Sequence, residues 1–223
     1  SSRYKRNEIP LLVEFDKELA CLVGMWLADG SYDKTSIIFS MANNECNDAV
    51  RRFGSRYNIN AKLHSDGVSL MLHSKILKIF FKEVLGLDGN AYTKKIPGFV
   101  FDLKKNLVCN LLMGYFSGDG TVKKNEVCCS SCSIDLLRDI QTVLLRFGVL
   151  LRIGKLKRDK TYEASISDNK FLTIFKENIG FVHKEKLKRL RFLCNKKGKE
   201  SKDVIPLDEK YYLKLKHYAG EKF

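Results

Sequence analysis

The sequence lacks any uninterrupted apolar run of the length that crosses a membrane, and its first residues lack the apolar core of a signal peptide. These two absences argue against a membrane protein and a secreted one. We therefore expect a cytoplasmic protein that has no membrane segment.

Proline is scarce, and cysteine does not form an even set. The three prolines stand at positions 10, 97 and 206, where they punctuate the chain without interrupting a helical pattern. Seven cysteines are an odd number, and two of them, Cys21 and Cys109, lie inside apolar runs, so we expect free buried thiols and no disulfide framework. The pair Cys129 and Cys132 has the spacing of half a zinc site but has no second pair, and we interpret it as a strand end.

What the sequence does have is positive charge. It carries 40 Lys and Arg against 26 Asp and Glu, a formal net charge of +14, and its pI is near 9.4. A polyanion is then the leading partner, and nucleic acid is the most common one. The alternative is a merely basic protein. The 223 residues, 44% of them hydrophobic, suffice for one sizeable core or two modest ones.

An internal repeat selects the two cores. The nonapeptide 22–30 (LVGMWLADG) and the nonapeptide 112–120 (LMGYFSGDG) stand ninety residues apart, each with Gly at its third position and Asp-Gly at its end. A period of this length indicates two copies of one fold unit. The two acids are unusual at a helix C-terminus, the negative end of the helix dipole, so we expect a cation beside each.

The flanking patterns predict the same order of elements in both copies. Asp16 is a plausible N-cap for a first helix ending at Ala28, and Asp102 or Asn106 could open its counterpart, with Gly30 and Gly120 as C-caps. Strands are predicted over 35–42, 61–63, 68–73, 126–132, 152–156 and 162–167, and further helices over 45–57, 76–86, 134–147 and 171–180. We therefore predict an α+β fold of two αββαββα repeats, 11–98 and 99–195, followed by a basic C-terminal tail, 196–223.

The repeat also predicts a site. Gly24 and Gly114 lack side chains, so the two helices can approach backbone to backbone and bring Asp29 and Asp119 together. Two adjacent carboxylates raise each other's pKa unless a cation intervenes. Oxygen ligands without a convergent His or Cys favour Mg²⁺, for which Mn²⁺ could substitute, and the carbonyls of Ala28 and Gly118, unpaired at helix ends, are candidate extra ligands. Such a site suits phosphodiester hydrolysis.

The paired nonapeptides resemble the LAGLIDADG motif, and two of them in one chain resemble a monomeric LAGLIDADG homing endonuclease of the archaeal intron- or intein-associated type. The resemblance implies a site-specific enzyme that makes a double-strand break in DNA, each Asp serving one strand. Lys94, before Ile96-Pro97, resembles a lysine of intein-type members, with Lys95 as the alternative. Lys184 and Lys186 compete for the matching role in the second copy, and we favour Lys186.

Two saddle-shaped antiparallel sheets would then lie in the major groove over roughly 20 bp. The predicted DNA-contacting residues are Ser36, Ile38, Ser40, Ser69, Met71 and His73 in the first repeat and Ser130, Lys155, Lys157, Arg158, Lys160, Tyr162 and Ser165 in the second. Family members place a Gln or Lys at the end of the second strand of each repeat. The matching positions here are Ala42 or Asn43 and Cys132 or Ser133, and the pair Ala42 and Cys132 would depart from that pattern.

Two other function classes remain open at this point. A non-catalytic member of the same fold could be a DNA-binding regulator or an intron RNA-splicing maturase, and intron RNA would then be a partner. A general RNA-binding module is less compatible, because no aromatic-rich RNP-like strand or Gly-x-x-Gly clamp occurs. The sequence shows no intein splicing cysteine and no terminal His-Asn pair, which favours an intron-encoded or freestanding origin.

Overall fold

A computed structural model describes residues 10, 12–41, 43–195 and 209–218. The first repeat contains α1 (Lys17–Asp29), β1 (Gly30–Tyr32), β2 (Ser36–Phe39), α2 (Asn44–Arg56), β3 (Ala61–Leu63), β4 (Leu70–His73) and α3 (Lys75–Ile79), which continues as a π-helical turn over Phe80–Val84. The second repeat, after a 3₁₀ turn (Gly98–Asp102), contains α4 (Lys105–Asp119), β5 (Gly120–Val122), β6 (Val127–Ser131), α5 (Ile134–Leu145), β7 (Arg152–Ile153), β8 (Tyr162–Ile166) and α6 (Asn169–Asn178). Helices α7 (Lys184–Cys194) and α8 (Glu209–Tyr218) follow.

The predicted fold class is confirmed, because each repeat forms one four-stranded antiparallel sheet with helices. The strand orders, β1-β2-β4-β3 and β5-β6-β8-β7, are the same in the two copies. In the first sheet Ile37 pairs with Leu72 and Phe39 with Leu70, and all four side chains lie in the hydrophobic core. Their neighbours along each strand face the other way, and we call that side of each sheet its outer face.

Helices α1 and α4 cross in direct backbone contact. A Cβ atom added to Gly24 would lie 1.8 Å from the carbonyl oxygen of Leu111, and one added to Gly114 would lie 2.0 Å from that of Cys21. No side chain fits in either place. The crossing therefore depends on both glycines, and it fixes the relative position of the helix ends.

The ends of these helices differ partly from the prediction. Asp16 does cap α1, accepting from Leu19 N, but neither Asp102 nor Asn106 caps α4, whose N-cap is Lys104 without a side-chain bond. Gly30 and Gly120 are the C-caps, as predicted, but their backbone is extended, so the glycines do not serve a left-handed turn. A Cβ atom would instead meet Trp26 or Phe116, each four residues earlier.

Other parts of the prediction lie outside the description or were not foreseen. Leu11, Ala42 and most of the predicted tail, 196–208 and 219–223, are outside the described residues. Helices α7 and α8 were not predicted, β1 and β5 had no predicted range, and β7 is shorter than the predicted strand 152–156. All seven cysteines are free, as expected. No helix in the described ranges is long and apolar enough to span a membrane.

Candidate active site

Asp29 and Asp119 are the last residues of α1 and α4, and the helix crossing brings them to one cleft. The cleft has a volume of about 630 Å³ and is also lined by Lys94, Ser40 and Ser130. The Asp29 Oδ2 atom lies 3.3 Å from the place that a Cβ atom on Gly118 would take. Asp29 thus lies against the end of α4, and both acids line the same cleft.

Burial and mutual repulsion disfavour the charged form of both acids. The pKa of Asp119 is raised to about 8, first by burial and then by the charge of Asp29. Burial also raises the pKa of Asp29, although its side chain is more exposed. The ammonium groups of Lys94 and Lys186 oppose the shift at both acids. The pair is therefore under-neutralised, and further positive charge there would be favourable.

Lys94 reaches the end of α1 from the irregular segment 85–97. Its Nζ donates to three backbone carbonyls, those of Trp26 (2.9 Å), Ala28 (3.3 Å) and Gly30 (2.8 Å), and lies 4.7 Å from the centre of the Trp26 ring. The residue is only 6% exposed. Burial lowers the pKa of Lys94 to about 8, while the charges of Asp119 and Asp29 act in the opposite direction.

Lys186 reaches the end of α4 in the same manner, from helix α7. Its Nζ donates to Ser117 O (2.7 Å) and Gly118 O (3.0 Å). Burial lowers the pKa of this lysine too. The rival Lys184 points away, with its side chain 83% exposed and Nζ 4.0 Å from a Glu45 oxygen, and Lys95 is exposed. The structure thus brings Lys94 and Lys186 to the two acids, and not their alternatives.

The reason given above for Ala28 and Gly118 as metal ligands was wrong, because neither carbonyl is unpaired. Each accepts a hydrogen bond from a lysine. A carbonyl oxygen has two lone pairs, so each keeps one acceptor position. Two carboxylates and two carbonyls are hard oxygen donors, and the raised pKa values of the acids call for a cation, so these residues fit Mg²⁺ or Mn²⁺.

Two residues that hold the Lys94 segment in place were not foreseen in that role. The Ser133 hydroxyl donates to Lys94 O (2.7 Å), and the Ile96 N–H donates to an Asp139 carboxylate oxygen (2.9 Å). Both side chains belong to the second repeat. Of the other positions considered at the strand ends, Asn43 caps α2 and Cys132 lines the cleft, while Ala42 is outside the described residues.

In the first repeat, the predicted DNA-contacting residues lie on the outer face of the sheet. Ser40 and His73 are exposed, Met71 is half-buried, and Ile38 is 9% exposed. Two residues are too deeply buried for a direct contact. Ser36 is fully buried, with its hydroxyl 3.0 Å from His73 Nδ1, and Ser69 is 2% exposed and donates to Ser40 Oγ.

The second repeat needs one correction. Tyr162 was predicted to contact DNA, but it packs against the core. Side chains alternate along β8, so Tyr162 and Ala164 lie on the core side, while Glu163 and Ser165 lie on the outer face. The outer-face neighbour is Glu163, a residue that the charge pattern did not suggest. Its two oxygens lie 2.8 Å from Lys123 Nζ and 2.7 Å from Lys157 Nζ. The remaining predicted contacts all lie at least partly exposed: Ser130, Lys155, Lys157, Arg158, Lys160 and Ser165.

One further group of metal-ligating side chains occurs in the described part of the chain. Glu126, Cys128 and Glu163 place their ligand atoms within 4.8 Å of one another. Lys123 and Lys157 already pair with the Glu163 carboxylate, so the group forms part of an ion-pair network. The acid pair at the helix crossing therefore remains the candidate metal site.

Sequence comparison matches the family described as LAGLIDADG-like domain at residues 16–84 and 106–180. Among curated relatives, the DNA polymerase II large subunit of Thermococcus kodakarensis is 36% identical over 60% of this chain and 8% of its own length. A glutamine–fructose-6-phosphate aminotransferase of Methanocaldococcus jannaschii is 32% identical over 68% of this chain and 14% of its own. The chain thus spans a small part of these relatives.

Solved structures give the same fold. The homing endonuclease I-DmoI in complex with DNA and Mn superposes with a TM-score of 0.57 at 16% identity, covering 74% of this chain and 97% of that one. Full-length DUF199/WhiA from Thermotoga maritima gives a TM-score of 0.57 at 15% identity, covering 95% of this chain and 69% of that one. The two matched segments each contain one motif helix and its sheet, and the chain belongs to the LAGLIDADG-like domain family.

Proposed function

We propose that this chain is a site-specific homing endonuclease that cuts both strands of DNA by metal-dependent phosphodiester hydrolysis. One observation carries the proposal: two acids from two repeats converge at the helix crossing, and a lysine from each repeat reaches the backbone beside them. Core packing alone requires no acid at either helix end. A protein of this fold that does not cut DNA would have no need to keep both Asp29 and Asp119.

Each residue has a distinct task in this reaction. Asp29 and Asp119, with the carbonyls of Ala28 and Gly118, would hold the divalent cations. Such an ion polarises the scissile phosphate and makes a hydrolytic nucleophile accessible at neutral pH. Lys94 and Lys186 keep positive charge beside the carboxylates, and they fix the carbonyls at the ends of α1 and α4. With one acid at the end of each motif helix, each Asp would serve one DNA strand.

The proposed substrate is a long asymmetric duplex of roughly 20 bp bound by a single chain. The net charge of +14 supports a polyanionic partner, and I-DmoI, which shares the fold, was solved with DNA and with Mn. The two outer faces carry different side chains, so the two half-sites would differ in sequence. We place the repeats at 11–98 and 99–195 and the basic tail at 196–223, and propose that the protein acts on genomic DNA in the cytoplasm.

An origin in an archaeal intron or intein is part of the same proposal. The relatives named above are unrelated enzymes, a polymerase subunit and an aminotransferase, and the similarity covers only 8% and 14% of them. A small unit shared by unrelated hosts is what an inserted mobile element produces. Their sources, Thermococcus and Methanocaldococcus, support the archaeal assignment.

The test is cleavage by acid variants on a duplex selected from a randomised library. With Mg²⁺ or Mn²⁺, Asp29→Asn and Asp119→Asn should each lose at least about a hundredfold in cleavage while binding changes only a few-fold, since the acids act mainly on the transition state. Asp135→Asn, at an exposed acid on α5, is the matched control. Cleavage at the wild-type rate by both variants would remove the acids from the mechanism. Specific binding by the wild type without cleavage would favour a DNA-binding regulator, and selective binding of intron RNA a maturase.

A further inference from the structure

A second concave surface lies beside the second sheet, between the β5–β6 turn and helix α7. We call it the basic groove and define it by Lys124, Lys188, Arg189 and Phe192 over a floor of Val122 and Leu193. Its volume is about 510 Å³. Phe192 is 67% exposed at one end.

The charge of this groove is largely uncompensated. Lys124, Lys188 and Arg189 are exposed, and no carboxylate lies within 4.0 Å of their nitrogen atoms in the ranges that the structure describes. Lys123, at the rim, is paired with Glu163 and Glu126, and Glu185 is the one acid in the lining. The groove is therefore complementary to an extended anion.

The groove is continuous with the surface assigned to DNA. Helix α7 starts at the acid pair, where Lys186 donates to Gly118 O, and it runs beside β5 to the groove. On the other side, Lys123 connects the groove to the outer face of the second sheet through Glu163. Lys188 and Phe192 stand two and six residues after Lys186, which is about 3 and 9 Å along the helix axis. A duplex over the acid pair and this sheet would pass the groove.

Among the described residues of the first repeat, the place that matches the basic groove is not an open surface. Its lysine comes from segment 85–97, which contains no helix, and this segment covers the edge of β1 through the bond from Tyr32 Oη to Leu87 O (2.7 Å). The β1–β2 turn is occupied by Lys78, whose Nζ donates to Asp33 O and Lys34 O. The matching place is thus filled by the protein itself.

We propose that the basic groove binds the phosphodiester backbone of the duplex in the half-site read by the second repeat, and that the other half-site has no such contact. The inference rests on the proposed DNA-binding function. It adds a phosphate contact in one half-site only, which the two-fold repeat of the fold does not predict. Lys124, Lys188 and Arg189 supply the charge, and Phe192 contacts the sugar edge of the same strand.

The test compares charge variants on the selected duplex by phosphate-ethylation interference and by salt dependence. For the wild type we expect a cluster of interfering phosphates in one half-site and no mirror-image cluster in the other. The variant Arg158→Ala identifies the half-site read by the second repeat, because its base preferences should change only there. In Lys188→Gln/Arg189→Gln this cluster should disappear, and the slope of log affinity against log salt should become shallower by about 1.8. Phe192→Ala should weaken the same half-site without changing the slope.

Two matched variants exclude a mere loss of charge or of fold. Arg51→Gln/Arg52→Gln removes the same charge from exposed positions on α2 and should leave the interference pattern unchanged. Lys188→Arg/Arg189→Lys keeps the charge and should retain the cluster. Wild-type binding with mirror-image clusters, or a Gln variant that behaves like the α2 control, overturns the groove assignment. A wild type that binds no duplex specifically would instead refute the proposed function itself.

Discussion

The two lysines beside the acid pair do similar work from unlike places. Lys94 comes from a segment without regular structure, is 6% exposed and gives all three of its ammonium hydrogens to carbonyls around the end of α1. Lys186 comes from helix α7 and donates to two carbonyls at the end of α4. In both repeats a lysine binds carbonyls at the end of the motif helix, but the lysine comes from an irregular segment in one repeat and from a helix in the other. One half of the site is thus closed around its lysine, and the other keeps one donor for a ligand.

The outer faces differ in the same direction. The first sheet presents Ile38, Ser40, Met71 and His73, with one lysine, Lys62, opposite Met71. The second presents Glu163 held between Lys123 and Lys157, and beyond it the basic groove. The crossing helices, which pack glycine against backbone from both sides, are the symmetric part of the molecule. Asymmetry therefore increases from the crossing outward, and three experiments can break or sharpen this contrast.

The largest expected effect separates the two lysines by stability. Lys94→Met would remove the buried donor to the carbonyls of Ala28 and Gly30, whereas Trp26 O would keep the Gly30 N–H. We expect the change to lower the free energy of unfolding by about 3 kcal/mol. Lys186→Met removes a less buried lysine with two bonds and should cost about 1 kcal/mol. Urea denaturation measures both, with Lys95→Met, at the exposed neighbour, as the control. Equal costs for the two buried-site variants would show that the lysines are equivalent.

A smaller effect concerns a contact beside the acids, where the two motif helices carry different residues. Ala28 of α1 corresponds to Gly118 of α4, and a Cβ atom on Gly118 would lie 2.6 Å from that of Ala28. Gly118→Ala should therefore destabilise the protein by about 1–3 kcal/mol through overpacking. Ala28→Gly/Gly118→Ala exchanges the two residues and should recover most of that loss. If the exchange recovers none of the lost stability, the contact between the Cβ atoms at positions 28 and 118 is not the cause of the loss.

Much of this architecture was predictable from local patterns, and the failures have physical causes. The motif helices, the strand pairs and the convergence of Asp29 and Asp119 follow from apolar periodicity and from one repeated Gly and Asp-Gly spacing. Helix α7 was missed because its sequence is so rich in Lys and Arg that it resembles a solvated tail. Tyr162 was placed on the wrong face because a shift of one residue reverses a strand. The pairing of Glu163 with Lys123 joins residues 40 apart, a distance that no local pattern spans.

The last prediction concerns a slope instead of a single free energy: how stability depends on pH in the metal-free protein. Folding raises the pKa of Asp119 from its ordinary 3.8 to about 8, so the folded state binds more protons than the unfolded state between these values. Stability should then fall as pH rises from 5 to 8, and Asp119→Asn should reduce this fall. The lowered pKa of Lys94, about 8, influences stability mainly above this window. Thermal melting in a chelator measures the difference, and Asp135→Asn controls for loss of a surface charge.

Restoring Mg²⁺ at pH 8 should stabilise the wild type more than Asp119→Asn, because the cation replaces the proton between the two carboxylates. If the wild type and Asp119→Asn have identical pH profiles, Asp119 is as well solvated as an exposed acid. The difference between the two repeats would then not include their carboxylates.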